Sequence, residues 1–359
     1  MINKVVLITS YWKKSCGGGA KTYLVELAGA LQEKVTGLTV LFEEGEDPGN
    51  YKIGSPRFLF PFKALWVLCK IKPQIVHTHG PWYCLMAGFL YRMFFRCRLV
   101  HTFHSAPDES LPVFGRVFMQ CLVNRCDCVT FVSAALQTQI EQVYELRFKQ
   151  TAVTYAGVKP VAVTGAEIHE FRSRFKIPES SIVLLAQSFT ANKLKAEGLK
   201  LLIGVLQWLL PELPDLLLVV TRQGVFSSQL MRYVKEKKLE EHVIFTGDVE
   251  NSFVPVAIAD IYTHITLSDG LPLAILEAMA LEKPVIATNI GGIAEAIDHM
   301  KNGIITEPVE DRILEAVKLL IGDGKLAQKL ARNARMTVER RFNWDKTSHQ
   351  LLRIYEGVN

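Results

Sequence analysis

Two carboxylates stand eight residues apart in the segment Ser268-Asp269-Gly270-Leu271-Pro272-Leu273-Ala274-Ile275-Leu276-Glu277-Ala278-Met279-Ala280. Gly270 and Pro272 punctuate a loop, and proline suits a helix's first turn because its missing N–H costs nothing there. The spacing predicts a helix over about residues 273–281. Its N-terminus would offer free N–H groups and the positive end of the helix dipole to a phosphate, with Gly270, Leu271, Pro272 and Leu273 lining the approach. Asp269 precedes that helix and Glu277 lies one to two turns along it. Carboxylates only accept hydrogen bonds, so the pair could grip separate hydroxyl groups of one elongated ligand. Taken alone, the two residues fit equally well a helix cap and a surface acid.

A second loop, Gly17-Gly18-Gly19-Ala20, lies between an apolar run and a helical pattern. Gly18 and Gly19 would let the backbone approach a diphosphate or an acceptor phosphate closely. The pattern is not G-x-G-x-x-G, and no acid follows at the dinucleotide spacing, which argues against a nicotinamide dinucleotide. His104 ends a predicted strand. His77, His79 and His101 alternate along strands and read as structural rather than as metal ligands. No D-x-D occurs in the chain, so Mg²⁺ or Mn²⁺ held by such carboxylates is unsupported. Neither a metal site nor a resident cofactor is expected.

These residues need elements to position them. Short apolar runs at residues 5–8, 38–42, 74–77, 99–103 and 128–132 read as strands. Helical spacing fills 22–32, 62–71, 82–95 and 113–124. Continuously apolar strands, each followed by a helix, indicate βαβ units and a parallel sheet covered on both faces. The pattern pauses at residues 156–166, rich in Gly, Pro and small residues, where we place a hinge. Strands resume at 182–186, 216–220, 243–245, 261–265, 285–287 and 303–306. Residues 311–355 read as helical, with a break near 342–344. A chain of 359 residues naturally makes two domains, and ligands of open α/β sheets bind outside the carboxyl ends of the strands.

Residues 1–10 read as a first buried strand rather than a signal peptide. No stretch reaches the apolar length of a membrane span; the closest, 81–100, is broken by Arg92, Arg96 and Arg98. The seven cysteines form no CxxC pair, and Cys126-x-Cys128 is the tightest spacing. They read as buried free thiols of a reducing cytosol. Charge is uneven: residues 1–165 hold 18 Lys and Arg against 11 Asp and Glu, the rest 23 against 25. No acid occurs between Asp47 and Asp108, an asymmetry that points to an anionic partner for the first half. Nothing points to nucleic acid.

The chain resembles retaining glycosyltransferases of family 4 (glycosyl transferases group 1). Asp269…Glu277 is similar to the family's E-x7-E segment, with Asp replacing the first Glu. Gly17–Gly19 resembles its N-terminal glycine loop, Ile75-Val76-His77-Thr78-His79 its "DIVHxH" strand, and Val100-His101-Thr102-Phe103-His104-Ser105 the next strand. Val129-Thr130-Phe131-Val132-Ser133, Ile244-Phe245-Thr246-Gly247, Pro284-Val285-Ile286-Ala287-Thr288, Gly291-Gly292, Glu295 and Phe342-Asn343-Trp344 follow in the family's order. The resemblance implies that Glu277 binds the donor ribose, Asp269 the sugar hydroxyls, and His104 the donor sugar and its phosphate oxygens. The family's "GRxxxxKG" stretch is altered here. Its Arg is absent from the segment 186–198, and Lys193, Lys195 or Arg222 would neutralise the leaving diphosphate instead.

The implied fold is GT-B: two Rossmann-like, doubly wound α/β domains facing across a cleft, with the C-terminal helix crossing back to the first domain. Residues 1–160 with 345–359 would bind the acceptor, and 161–344 the nucleotide sugar. The implied reaction moves a sugar, with retention and without metal, from a nucleotide-diphosphate donor to a glycan or lipid-linked acceptor. A UDP-sugar is favoured, with a GDP-sugar as the other candidate. A nucleotide-sugar epimerase and a non-catalytic nucleotide-sugar binder are the alternatives on the same scaffold. Phe58, Phe60, Phe62, Trp66, Phe94 and Phe95 are interleaved with Lys63, Lys70, Arg92, Arg96 and Arg98. Such mixing suits docking on an anionic membrane surface, hence a cytoplasmic protein peripheral on the membrane's inner face.

Overall fold

The computed structural model describes residues 4–15, 17–54, 56–105 and 109–358; Cys16, Pro107 and Asp108 lie outside the described residues. The chain divides into two compact units, one running to Gly157 and resuming at Phe342, the other comprising Val158–Arg341.

The first unit carries β1 (Val5–Tyr11), β2 (Leu38–Glu44), β3 (Tyr51–Lys52), β4 (Ile75–His79), β5 (Arg98–Phe103), β6 (Cys128–Phe131) and β7 (Thr151–Val153). They form one sheet in the order β3-β2-β1-β4-β5-β6-β7, every pair parallel. The second unit carries β8 (Ile182–Gln187), β9 (Leu216–Thr221), β10 (Val243–Gly247), β11 (Ile261–His264), β12 (Val285–Thr288) and β13 (Ile304–Thr306). Their order is β10-β9-β8-β11-β12-β13, again all parallel. Parallel sheets need cover on both faces, which is why Val5–Ile8 and Val183–Ala186 are apolar without alternation and fully buried. In each sheet the strand order reverses once, between β1 and β4 and between β8 and β11. Those reversals are where a doubly wound sheet opens a crevice at its carboxyl edge.

Local signals set the helices that matter. Asn192 caps Lys193–Leu209 by accepting from the Lys195 N–H, worth about 1 kcal/mol. Its buried face, including Leu199, Leu202, Ile203 and Leu206, packs into the second unit's core. The last helix, Trp344–Glu356, is capped by Asn343 and packs in the first unit. Tyr355 Oη lies 2.6 Å from His77 Nδ1, and Thr347 Oγ1 donates to the Tyr155 carbonyl at 2.6 Å.

Several expectations need correction. The short edge strands β3 and β7 went unread, because two or three residues carry no periodicity. The helical tail has a second break at Asp323, whose carboxylate accepts from the Leu326 N–H and starts a new helix. The hinge is shorter than read, since a capping box of Thr164 and Glu167 begins a helix at Gly165. The thiols are not uniformly buried: Cys84, Cys126 and Cys128 are, whereas Cys121 is exposed on its helix.

Candidate functional site

In the second unit, the loop after β8 runs into helix Lys193–Leu209, and the loop after β11 runs into helix Leu273–Ala280. The two loops therefore meet at the strand-order reversal. Lys195, in the first turn of the helix that the first loop enters, meets Asp269 of the second loop, with Lys195 Nζ 2.6 Å from Asp269 Oδ2. His264, the last residue of β11, places Nε2 3.1 Å from the same oxygen. Oδ1 accepts the Gly270 N–H at 3.0 Å. Tyr262 Oη lies 3.3 Å from His264 Nδ1, and the Phe189 ring packs on the imidazole with centroids 4.8 Å apart.

The protonation states follow from these contacts. Burial is the largest influence on Asp269 and would raise its pKa. The Lys195 charge and the His264 hydrogen bond outweigh it, and the carboxyl falls to about 2. An ionised carboxylate cannot donate, so His264 carries its proton on Nε2 and accepts from Tyr262 through Nδ1. Burial lowers the pKa of His264, opposed by Asp269; at neutral pH the ring is neutral. The Tyr262 hydroxyl is held far above its ordinary range by burial and then by the charges of Glu277 and Asp269. Both carboxylates of the eight-residue spacing thus bear on one buried hydroxyl.

Two glycines allow this packing. A Cβ on Gly198 would stand 2.0 Å from the Ile265 carbonyl oxygen, so helix Lys193–Leu209 can lie on the strand-end loop only without a side chain there. Gly291 has φ +55°, and its Cβ would stand 1.8 Å from the Asp269 carbonyl oxygen. The next N–H, from Gly292, donates to the Gly270 carbonyl at 2.5 Å. The Gly-Gly pair therefore holds the Asp269–Gly270 loop through its backbone. Helix Leu273–Ala280 begins after Pro272, which is its N-cap rather than its first-turn residue, with no side-chain cap. Glu277 is half-buried on it.

In the first unit the corresponding reversal carries histidines. β4 ends in His79 and His104 follows β5. His79 Nδ1 and His104 Nε2 are 3.1 Å apart, so one of these two nitrogens carries a proton and the other accepts it. Burial lowers both pKa values, that of His104 to about 4, and the pair is uncharged at neutral pH. The Tyr23 ring meets His104 edge-on, centroids 4.8 Å apart. His77 bridges Tyr355 and Thr102, and His101 is bonded to Thr78. His79, read with them as structural, makes its contact with His104. Gly18 is the N-cap of helix Gly19–Gln32. A Cβ on Gly17 would stand 2.5 Å from that of Tyr11, which is why this turn lacks one.

Sequence reading left three cations open. Lys195 joins Asp269, whereas Lys193 opens the same helix exposed to solvent. Arg222 is half-buried with φ +75°, its carbonyl accepting from Thr190 and its N–H donating to Gly247. Sequence reading missed His264 and Tyr262. The available signal was a tyrosine, a threonine and a histidine in succession within a fully buried strand. Among the described residues, no group of three or more His, Cys, Asp or Glu is gathered as a metal site.

Two units of parallel sheet in Rossmann order, each with polar side chains collected at its strand reversal, define the GT-B class of glycosyltransferases. Residues 17–162 match the family described as Glycosyltransferase Family 4, and residues 169–337 match Glycosyl transferases group 1. The chain belongs to the group 1, family 4 glycosyltransferases. It is 25% identical over 268 residues to a GDP-mannose-dependent alpha-(1-6)-phosphatidylinositol monomannoside mannosyltransferase of Mycobacterium tuberculosis, covering 71% of this chain and 68% of that one. It is 25% identical over 295 residues to the N-acetyl-alpha-D-glucosaminyl L-malate synthase of Bacillus anthracis, covering 79% and 75%. Anabaena Alr3699/HepE, solved with UDP-glucose, superposes with a TM-score of 0.84 at 19% identity, covering 99% of this chain and 100% of that one. Sucrose-phosphate synthase from Thermosynechococcus elongatus gives 0.81 at 18%, covering 99% of each chain. Identities this low speak to fold alone.

Proposed function

We propose that this glycosyltransferase moves a sugar from a nucleoside-diphosphate donor, UDP-linked in the first instance, to a glycan or lipid-linked acceptor, with retention at the anomeric carbon. The observation that carries the reading is the Lys195–Asp269 pair at the carboxyl edge of β8 and β11, beside an uncapped helix N-terminus. Departure of a diphosphate is eased chiefly by fixed positive charge. Lys195 and the first turn of helix Leu273–Ala280 supply it, and Glu277 takes the ribose hydroxyls. Asp269 already accepts from Lys195, His264 and Gly270, so its main task is to hold the ammonium in place, with any remaining lone pair for a sugar hydroxyl. His104 takes the donor sugar and phosphate oxygens. The bond from the anomeric carbon to the diphosphate oxygen breaks, the acceptor oxygen bonds to the same face, and the acceptor's proton passes to the departing diphosphate. No divalent metal takes part. One relative is a GDP-mannose-dependent mannosyltransferase and another an N-acetyl-alpha-D-glucosaminyl L-malate synthase, and a structural neighbour was solved with UDP-glucose; these support a nucleotide sugar without choosing among them.

The acceptor is sought at an anionic membrane surface, since the first unit carries the chain's positive excess. Among the described residues no helix is long and apolar enough to cross a membrane, so association would be peripheral. The test is turnover of UDP-, GDP- and ADP-sugars with and without acceptor, beside Glu277→Gln. Acceptor-dependent release of nucleotide and a ten- to hundredfold loss in Glu277→Gln are expected, the worth of a charged hydrogen bond at about 1.5–3 kcal/mol. Nucleotide released equally without acceptor would indicate the epimerase reading, binding without turnover a non-catalytic binder. A Glu277→Gln enzyme with unchanged donor affinity and rate would refute the ribose assignment.

A further inference from the structure

In the first unit, helices Phe60–Ile71, Trp82–Phe94 and Val113–Val123 each follow a strand (β3, β4 and β5), and each connection runs in the same direction across the sheet, the first from edge strand β3 past β2 and β1 to β4, the others to the adjacent strand. Crossovers of one hand put all three on the same face, with their N-terminal ends at the carboxyl edge that also bears His79 and His104. Ring contacts tie those ends together: Phe60 to Tyr83 at 5.3 Å and Trp82 to Phe118 at 5.8 Å. The first helix buries Phe60, Ala64, Val67 and Leu68. Its opposite stripe leaves Phe62 61% and Trp66 63% exposed, with Lys63 and Lys70 on the same side. Lys70 Nζ sits 3.3 Å from the Trp66 ring centroid. The third helix buries Met119, Leu122 and Val123 and leaves Val113 70%, Phe114 83% and Val117 61% exposed.

Large apolar side chains at that exposure, on the two helices that flank Trp82–Phe94 on one face of the sheet, need a partner. No acid occurs from residue 48 to 107. The basic groups originally grouped with this surface divide in the structure: Arg92 is paired with Asp127, whereas Lys63 and Lys70 lie exposed beside the aromatic stripe. Apolar side chains flanked by exposed ammonium groups match a bilayer interface bearing negative headgroups, where each Lys near the surface contributes about 1 kcal/mol.

We infer that the rim formed by Phe62, Trp66, Val113, Phe114 and Val117 is the membrane-inserting face of the first unit, bedded in anionic lipid by Lys63 and Lys70. This deepens the membrane reading above and rests on it. It also fixes an orientation, because the bilayer would meet the same sheet edge that carries His104. A lipid-linked acceptor would then reach that edge without leaving the membrane.

Tryptophan fluorescence with brominated vesicles tests the face directly. Vesicles of brominated phosphatidylcholine with phosphatidylglycerol should quench the full chain at low salt. The Trp66→Phe/Trp82→Phe double variant should still sediment with them yet lose the quenching. Phe114→Glu/Val117→Glu should weaken vesicle partition by at least about tenfold, from the apolar burial forfeited, while keeping its melting temperature and its donor affinity in solution. Vesicle binding with undiminished quenching in the double tryptophan variant, or undiminished partition of the glutamate variant, would overturn this face and leave the membrane reading standing. A chain that stays in the supernatant with anionic vesicles at low salt overturns both. A wild-type dimer split by the glutamates would assign the face to a second copy and overturn the inference. Donor turnover is measured apart from the vesicles, so its failure would bear on the donor reading alone.

Discussion

Replacing Asp269 by Asn removes a charge while keeping the side chain's shape, so it reads the electrostatics of the second unit's cluster. The carboxyl lies at about 2 against an ordinary 3.8, burial being overcome by Lys195 and then His264. The side chains of Asp269 and Lys195 are only 14% and 17% exposed, so solvent screens little of the interaction. A shift of that size is worth about 2 kcal/mol of folding stability. A carboxyl whose folded pKa is depressed contributes fully above its unfolded value and loses that contribution as pH falls toward its folded value. Urea unfolding followed by far-UV circular dichroism should therefore show Asp269→Asn less stable by about 2 kcal/mol at pH 7. The gap should shrink to roughly half by pH 3 and nearly vanish at pH 2. Equal stability at pH 7 would refute the ion pair as a stabilising contact. A gap that persists unchanged at pH 2 would show that packing, not charge, is what Asp269 supplies.

Two further outcomes follow from the same cluster. Transfer activity should survive exhaustive dialysis against EDTA if, as proposed, Lys195 and the helix N-terminus carry the positive charge the diphosphate needs; activity lost and restored by Mn²⁺ or Mg²⁺ would refute this. Gly198→Ala should lower stability by about 1–3 kcal/mol, the usual cost of overpacking, since its Cβ would meet the Ile265 carbonyl oxygen at 2.0 Å; an unchanged melting temperature would show that the helix shifts freely.

Both sheets were legible because a parallel strand buried on two faces is mostly apolar without alternation, and runs such as Leu216–Val220 announce themselves. The edge strands β3 and β7 were not, since at two or three residues they are defined by their hydrogen-bonded neighbours rather than by composition. Position in sequence also placed Asp269 and Glu277 well, because a loop followed by a helix is a local pattern. The choice between Lys193 and Lys195 was out of reach. Both precede the buried stripe of one helix, and only the Asn192 cap, by fixing where the first turn begins, decides which of them turns toward the β11 loop.

His264 shows why a site can be half visible in a sequence. Its neighbour Asp269 stands out because a carboxylate beside Gly and Pro marks a loop, whereas a histidine ending a strand looks like any other buried polar residue. Its significance is created by contact: Tyr262 behind it fixes the ring, and the ring's Nε2–H fills one position on the Asp269 oxygen that Lys195 also holds. Without that second donor, a carboxylate this buried would meet Lys195 alone and be freer to turn toward solvent. The neutral state of His264, which burial favours, matters as much as its position. A protonated ring would compete with Lys195 for the carboxylate and loosen the ammonium that the proposed mechanism sets against the leaving diphosphate. The depressed pKa of a strand-end histidine and the placement of a lysine two loops away are thus parts of one device, assembled where the strand order of the second sheet reverses.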